Sequence, residues 1–286
     1  MFKIHNEIFC LTISNLGAEL EELCVNNINI LWKRSELWNE QSPILFPIVG
    51  NLKDRYYIYN EKKYEMAAHG FLKNLVFEPV RIEQSLITLK SVFTEETLKQ
   101  FPFQYEFYIT YALILNKIKI KFEIKNLEEK PMFFSFGFHP GFDLGRLEKL
   151  LGKGFYLEFS PLQVQSVQFN PHFVEKIESF NLPSKTTLTN FSKVLAVKKT
   201  ACYQGLNQID LSGENNTLRM NHNLSHTAFW QKNPEDPQFL CIEPWNGLPD
   251  EEGTDHQLIH KNHIQTLGAK ETVEYEIEIS FLQGVK

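Results

Sequence analysis

No glycine-rich phosphate-binding or nucleophile motif occurs in this sequence: G-x-G-x-x-G, G-x-x-x-x-G-K-[ST] and G-x-S-x-G are all absent. Dinucleotide oxidoreductases, P-loop nucleotidases and α/β-hydrolases therefore lose their main sequence support. Cysteine is scarce as well, with four among 286 residues and no C-x-x-C pair. Scattered thiols among apolar neighbours predict buried, free cysteines in a reducing compartment, so a disulfide-stapled secreted fold is not expected.

The chain also has no long apolar run and no excess of positive charge. No stretch reaches the roughly 20 apolar residues that a membrane-spanning helix needs, and residues 1–7 show no charged-then-apolar signal pattern. A net charge of −6 disfavours nucleic acid and anionic membranes as partners. The sequence therefore predicts a cytoplasmic protein that binds neither nucleic acid nor a membrane.

Aromatic residues and a two-residue hydrophobic period are what the chain has in abundance. Its 24 Phe and 10 Tyr suit strands better than helices. Apolar and charged residues alternate over residues 117–125, and the same alternation returns over 273–281. One wet face per strand indicates antiparallel sheets. Because no linker or low-complexity tract interrupts the chain, the sequence predicts an all-β fold of large antiparallel sheets in a single domain, residues 1–286.

Shorter patterns predict the turns between these strands. The asparagines at residues 26–27 and 60 lie between short apolar or aromatic runs, as they do in the tight turns of β-hairpins. Residues 94–101 predict one short helical turn that ends before a proline, and helical periodicity is otherwise scarce. The polar stretch 179–192 is expected to be a loose surface excursion.

Three segments combine an apolar strand with a turn that carries a titratable side chain. They are residues 67–71 with His69, residues 136–142 with His139, and residues 241–250 with Glu243. Desolvation at the end of a strand raises the pKa of a carboxyl group, as a general base at neutral pH requires. Trp245 beside the carboxylate offers an apolar face to a sugar. The ordinary alternatives are a strand-end glutamate that faces water and turn histidines that bond to the backbone.

Two further sets of polar residues carry open alternatives. Lys53 and Arg55 follow a glycine turn and either face a cleft or are plain surface charges. Glu243 with Asp250 could form the carboxylate pair of a glycoside hydrolase, but the two turn histidines would then have no necessary role.

The remaining histidines do not predict a metal site. His222 and His226 have the i,i+4 spacing that joins two ligands only on a helix, and their Asn-rich surroundings make a poor helix. The histidines of the polar loop 256–263 lack a cysteine or carboxylate partner in a recognisable ligand pattern. The sequence therefore predicts no metal and no cofactor.

Taken together and in order, these segments resemble the aldose 1-epimerase (galactose mutarotase) family, specifically its LacX-like branch. The resemblance spans nearly the whole chain, and the number and order of the motifs make chance improbable. It is carried by residues 17–20, 30–32, 45–50, 69–71, 138–142, 241–245 and 267–271.

Membership of this family implies a galactose mutarotase-like β-supersandwich that binds a sugar in a cleft on one sheet. It implies that Glu243 removes the proton of the anomeric hydroxyl, that His139 protonates the ring oxygen, and that His69 hydrogen-bonds the sugar. The implied reaction interconverts the α and β anomers of a hexose or a hexose phosphate. Neither a metal nor a nucleotide is implied.

One position departs from the family pattern and bears on the substrate. Relatives carry a basic residue, typically Arg, directly after the glycine of the Phe-Pro-x-x-Gly turn, where this chain has Asn51. Either Lys53 or Arg55 reaches the sugar instead, or Asn51 binds a hydroxyl itself; Lys73 is a further candidate for a phosphate. Asp210 is the candidate for the family's substrate-binding aspartate. The departure keeps open a non-catalytic carbohydrate-binding or sensing protein on the same fold, and the sequence leaves open whether the chain forms a homodimer.

Overall fold

Antiparallel strands make up most of the structure, a computed structural model that describes residues 1–170 and 172–284. In chain order the strands are β1 (Phe2–His5), β2 (Phe9–Ile13), β3 (Leu20–Val25), β4 (Ile28–Asn29), β5 (Ile44–Leu45), β6 (Tyr56–Tyr59), β7 (Lys62–Glu65), β8 (Glu78–Ile82), β9 (Leu86–Val92), β10 (Tyr105–Ile114), β11 (Lys117–Asn126), β12 (Met132–Phe134), β13 (Phe136–Phe138), β14 (Gly141–Asp143), β15 (Tyr156–Ser160), β16 (Gln163–Asn170), β17 (Phe173–Asn181), β18 (Lys185–Thr187), β19 (Thr200–Gln204), β20 (Gln208–Ser212), β21 (Asn216–His222), β22 (His226–Trp230), β23 (Phe239–Asn246), β24 (Gln265–Leu267) and β25 (Thr272–Gln283). The α-helices are α1 (Glu95–Gln100), α2 (Leu144–Leu151) and α3 (Leu188–Lys198). Short 3-10 turns lie at Lys53–Arg55, Leu72–Asn74 and Leu258–His260. Between residues 1 and 284, residue 171 aside, no helix is both long and apolar enough to cross a membrane.

Two large sheets dominate the architecture. The nine-stranded sheet runs in the order β18-β15-β20-β21-β25-β11-β10-β9-β8. The eight-stranded sheet follows the order β17-β16-β19-β22-β23-β13-β5, with β14 paired to β23 beside β13. The strand pairs within both sheets are antiparallel. The all-β prediction of large antiparallel sheets is therefore confirmed.

Aromatic side chains join the two sheets face to face. Phe136 of β13 lies 4.7 Å from Phe122 of β11 and stacks on Tyr275 of β25 at 5.1 Å, measured between ring centroids. Phe46, just after β5, meets Phe107 of β10 edge-on at 5.4 Å. Buried aromatic pairs of this kind add to the stabilisation from area burial. The abundant phenylalanine thus forms the layer between the sheets.

The opposite face of the nine-stranded sheet is charged, as the alternating sequence predicts. Strands β11 and β25 are neighbours, and every second residue of β11 is buried. Lysines of β11 face glutamates of β25 across this wet face, with Lys119 Nζ 3.1 Å from Glu276 Oε1. Exposed pairs of this kind add little stability each. These ion pairs show that this face of the nine-stranded sheet is solvated. The candidate site lies on the eight-stranded sheet instead.

The predicted turns are confirmed. Asn26 and Asn27 adopt left-handed φ values of 47° and 64° between β3 and β4, and Asn60 and Glu61 do the same between β6 and β7. Two consecutive positive φ values are what a two-residue hairpin turn requires. The helical turn predicted over residues 94–101 is α1, which is capped by a threonine side chain.

Residues 179–192 are mostly exposed, as expected for a surface excursion, but the expectation that the stretch is loose was wrong. This stretch contains the end of β17, all of β18 and the start of α3, and the Thr187 hydroxyl accepts the Asn190 N–H at 3.3 Å as the helix cap. Phe191 is buried and packs edge-on against Phe229 of β22 at 4.9 Å. A few apolar residues at helical spacing are enough to pack this helix against the sheet. Because most residues around them are polar, their helical period is not evident in the sequence.

Candidate active site

A cavity of about 290 Å³ opens on the face of the eight-stranded sheet that points away from the nine-stranded sheet. Its volume lies near the lower end of the range for small-molecule sites, about 300–1,000 Å³. Its lining combines three tryptophans with a small set of titratable and polar groups. The lining residues are Trp38, Glu40, Gly50, Asn51, His69, His139, Phe169, His172, Thr200, Trp230, Glu243, Trp245 and Pro249.

Strand β23 places Glu243 at the floor of this cavity. Every residue of the strand is buried, so both of its faces are covered. Leu240 and Ile242 belong to the main core, whereas Cys241 and Trp245 belong to small clusters on the other face. Because side chains alternate along a strand, Glu243 lies on the face of Cys241 and Trp245. Only 1% of its surface is exposed.

Strand pairing places His139 directly beside Glu243. Gly137 of β13 pairs with Trp245, and Gly141 of β14 pairs with Cys241. The same register holds on both sides, so residue 139 lies opposite residue 243. His139 Nε2 is 3.1 Å from Glu243 Oε2. Two residues from distant parts of the sequence are thus brought into contact by the register of one pair of strands.

The glycines that flank His139 are required by the tryptophan walls. A Cβ atom on Gly137 would lie 2.7 Å from Cδ1 of Trp245, and one on Gly141 would lie 2.5 Å from Cζ3 of Trp38. Real Cβ atoms do not approach other heavy atoms so closely. Both indoles therefore pack against the short strands that carry His139, one on each side.

Burial favours the uncharged forms of the contacting pair. Neither carboxylate oxygen of Glu243, nor Nδ1 of His139, has a hydrogen-bond partner among the described residues. Desolvation raises the pKa of Glu243 well above its ordinary value. Desolvation lowers the pKa of His139 well below its ordinary value. At neutral pH burial therefore favours a protonated, neutral Glu243 beside a neutral His139.

His69 is held as a hydrogen-bond donor towards the cavity. It adopts a left-handed φ of 65°, and the backbone N–H of Gly50 donates to its Nδ1 at 3.2 Å. Burial lowers the pKa of His69 to about 4, so the ring is neutral at pH 7. With Nδ1 accepting, the proton of the neutral ring is on Nε2. The ring meets that of His139 edge-on at 5.6 Å between centroids.

Several lining residues have no signal in the sequence. Trp38 lies 5.2 Å from the ring of His139 and Trp230 lies 5.9 Å from it, measured between centroids. Glu40 lines the cavity and forms an ion pair with Lys73. Trp38 and Glu40 belong to a segment without regular structure, so no periodic pattern could have singled them out.

The structure brings Asn51 and Trp245 to the cavity with Glu243, His139 and His69. Asn51 lies at the wall, and its backbone carbonyl accepts the N–H of Asp250 at 3.0 Å. Trp245 is only 4% exposed.

Lys53, Arg55 and Asp210 are not among the residues that line the cavity. Lys53 Nζ is 2.8 Å from Glu252 Oε1, and Arg55 is exposed. Asp210 belongs to the nine-stranded sheet, where Arg219 donates to both of its oxygens at 2.8 and 2.6 Å. The structure therefore does not bring these three side chains to the cavity, because two are held in ion pairs elsewhere and one faces solvent.

Asp250 does not form a carboxylate pair with Glu243. Its Oδ1 accepts a hydrogen bond from Lys261 Nζ at 2.6 Å, and its Oδ2 accepts one from the backbone N–H of Lys53 at 2.9 Å. The side chains of Asp250 and Lys261 are 4% and 3% exposed. This buried ion pair supports the loop behind the cavity, so the glycosidase alternative loses its second carboxylate.

The fold and the site together define a β-sandwich protein in which a buried histidine and a buried glutamate contact each other in a tryptophan-walled cavity. The model of the aldose 1-epimerase family matches residues 1–259. The chain belongs to the aldose 1-epimerase family. Similar proteins and solved structures confirm its expected mutarotase-like fold and its resemblance to the LacX branch.

The plasmid-encoded protein LacX of Lactococcus lactis subsp. lactis is 26% identical over 265 residues, which cover 86% of this chain and 87% of that protein. A galactose mutarotase related enzyme from Lactobacillus acidophilus superposes with a TM-score of 0.89 at 26% identity, over 100% of this chain and 98% of its own. A galactose mutarotase-like protein from Lactobacillus casei gives a TM-score of 0.87 at 24% identity, over 99% of this chain and 100% of its own, and shows the shared fold.

Proposed function

We propose that this protein interconverts the α and β anomers of an unphosphorylated aldose by general acid–base catalysis. Its family supports a sugar epimerase of the isomerase class. The observation that carries the finer proposal is the contact of 3.1 Å between His139 Nε2 and Glu243 Oε2 at the floor of the cavity. Anomer exchange needs one proton acceptor and one proton donor at two oxygens bonded to the same carbon, and this pair supplies both.

Ring opening uses the pair in its ionic form. The Glu243 carboxylate takes the proton of the anomeric hydroxyl, the bond between C1 and the ring oxygen breaks, and the His139 imidazolium protonates the ring oxygen. Rotation about the C1–C2 bond then presents the other face of the aldehyde, and closure reverses both proton transfers. The pair returns to its starting form, so no proton is gained or lost over the cycle.

Burial assists the step that breaks the ring. After ring opening, Glu243 is a neutral carboxylic acid and His139 a neutral imidazole, and these are the forms that desolvation favours. The ionic form arises when the carboxyl proton of Glu243 passes to His139, and the separation of 3.1 Å between Oε2 and Nε2 is within reach of such a transfer before the sugar reacts. Sugar hydroxyls also offer hydrogen bonds to carboxylate oxygens that otherwise have none.

His69 and the tryptophans position the sugar in this proposal. The Nε2–H of His69 donates to a sugar oxygen, because its Nδ1 is occupied by the Gly50 N–H. The indoles of Trp38, Trp230 and Trp245 line the cavity and exclude water from the reacting centre. A fixed geometry and a dry site both favour proton transfer between weakly acidic and weakly basic groups.

The charges around the cavity favour a substrate without phosphate. Neither lysine nor arginine occurs among the described lining residues, whereas Glu40 and Glu243 do. Lys73 is paired with Glu40, and Lys53 with Glu252. A phosphate dianion in this cavity would meet two carboxyl groups without a free cation, which opposes binding.

A sugar panel tests the proposal. Exchange between anomers of glucose, galactose and their 6-phosphates is measured by NMR saturation transfer, with the buffer rate as the baseline. We expect exchange above the baseline for at least one free aldose and slower exchange for its 6-phosphate. Faster exchange of the phosphates would overturn the substrate assignment.

The alternative is a non-catalytic carbohydrate-binding protein, and Asn51 in place of a basic residue at the cavity wall is the observation that favours it. The same panel decides between the two functions when binding is followed by calorimetry. A sugar that binds while every exchange rate stays at the baseline would establish the alternative.

A further inference from the structure

One buried thiol lies beside His139 and Glu243 and has no role in the proposed reaction. Cys241 is two residues before Glu243 on β23, on the same face of the strand, and is fully buried. One ligand atom each from His139, Cys241 and Glu243 lie within 4.8 Å of one another. A thiol, an imidazole and a carboxyl group so close together form a set of metal ligands.

We propose that one soft divalent cation, with Zn²⁺ preferred, binds to His139, Cys241 and Glu243 and inhibits the enzyme. No sequence motif indicates this ligand set, because its members lie in two distant segments. The binding stands on the geometry of the three residues alone. The inhibition rests on the proposed function, since the ion would occupy both groups that transfer protons.

The distances suit zinc after a small adjustment. Zinc bonds of about 2.3 Å to sulfur and about 2.0–2.2 Å to nitrogen and oxygen place tetrahedral ligand atoms about 3.3–3.6 Å apart. The contact between His139 and Glu243 is already 3.1 Å, and the largest separation in the set is at most 4.8 Å. Side-chain rotation of the cysteine by about 1 Å at its sulfur would bring the set to that geometry.

The surroundings also suit a cation. Both oxygens of Glu243 and Nδ1 of His139 are buried without hydrogen-bond partners among the described residues. A thiolate and a carboxylate together balance the two positive charges of the ion, so the buried complex is neutral overall. His139 and Glu243 face the cavity, which gives the ion a path in and leaves the fourth position to water.

The ligand types select the ion. Magnesium and calcium prefer sets made of oxygen atoms, so they fit this mixed site poorly. Thiolate and imidazole favour Zn²⁺, and Co²⁺ takes the same geometry as a coloured substitute. Cobalt therefore reports on the site directly, without reliance on activity.

The test uses Co²⁺ absorption in a protein that carries Cys10→Ser and Cys24→Ser. These two thiols face each other across β2 and β3, and their removal prevents a competing thiolate site. We expect one Co²⁺ per chain with a thiolate-to-cobalt charge-transfer band in the near ultraviolet, and we expect equimolar Zn²⁺ to abolish the band. Absence of the band from this folded protein would overturn the proposal.

Two further substitutions locate the site. Cys241→Ser should remove the band, whereas Cys202→Ser should keep it, because Cys202 is an equally buried thiol outside the ligand set. If Cys241→Ser impairs folding, Cys241→Ala replaces it. The assignment would be refuted if the band persisted in the variant that lacks the Cys241 sulfur. It would also be refuted if the band disappeared in the Cys202→Ser variant.

Activity gives the second readout. Zn²⁺ should inhibit anomer exchange of the background protein and of its Cys202→Ser variant, and Cys241→Ser should require at least about tenfold more Zn²⁺. Equal inhibition with and without the Cys241 thiol would refute inhibition through this site. If no sugar shows exchange at all, the proposed function fails while the cobalt band still decides the metal site.

Discussion

Replacement of Glu243 by glutamine separates the chemistry of the site from its contribution to folding. The substitution keeps the shape of a side chain that is 1% exposed, and it removes the group assigned as the base. Loss of a general base lowers a rate by a factor of about 10²–10⁴. At about 1.4 kcal/mol per factor of ten, this corresponds to about 2.8–5.6 kcal/mol of transition-state stabilisation.

The same substitution should stabilise the protein at high pH. Burial raises the pKa of Glu243 above its ordinary value of 4.5, so the folded chain binds this proton more tightly than the unfolded chain does. The resulting stability is present in full below pH 4.5 and is lost as the pH rises to the raised pKa, by about 1.4 kcal/mol per pH unit. Glutamine has no proton to lose, so the variant escapes this loss.

Two assays check these expectations. NMR saturation transfer measures anomer exchange, and urea unfolding measures stability between pH 6.5 and 9, where unfolded histidines are mostly neutral. Glu40→Gln is the matched control, because Glu40 lines the same cavity but is paired with Lys73. We expect the control to keep its maximal rate within about tenfold. Near wild-type exchange by Glu243→Gln would refute the base assignment, and a variant no more stable than wild type at pH 9 would refute the burial argument.

Three further predictions concern packing, charge and pH. Gly141→Ala should destabilise the fold by about 1–3 kcal/mol in urea and alter tryptophan fluorescence, because the new Cβ would meet Trp38 at 2.5 Å; unchanged stability and fluorescence would contradict the packing. Lys261→Met should cost about 3–5 kcal/mol in urea unfolding, because it leaves the buried carboxylate of Asp250 unpaired; a loss under 1 kcal/mol would show that water reaches the carboxylate. Burial lowers the pKa of His226 to about 3, so its contribution to stability is complete above pH 6.5 and is lost as the pH falls from 6.5 towards 3. His226→Gln should therefore flatten the decline of the urea midpoint between pH 6.5 and 4, and an unchanged slope would contradict it.

Much of the fold could be predicted because its signals are local. Alternation over residues 117–125 identified a strand with one wet face, and the asparagine pair at 26–27 identified a hairpin turn. Helix α3 was missed because its docking depends on contacts such as that of Phe191 with Phe229, which lie far apart in sequence. Tertiary packing overrides a weak local pattern at such places.

The candidate site could be predicted only in part. His69, His139 and Glu243 stood out because each joins an apolar strand to a turn. Trp38 and Glu40 did not stand out, because their neighbours in sequence carry no period. Lys53 and Asp210 are instead paired with Glu252 and Arg219. The sequence does not show which charged residues will meet in the folded chain, so these ion pairs could not be predicted.

The sequence by itself determined the antiparallel sheets and the kinds of group that could move protons. Both follow from residue type and from the order of neighbouring residues, which are present in the chain before it folds. Only the tertiary structure decided that His139 lies 3.1 Å from Glu243, because that contact depends on the register of β13 and β14 against β23. Register is set by long-range packing on both faces of the sheet, so the contact between these two candidate residues is a property of the folded molecule.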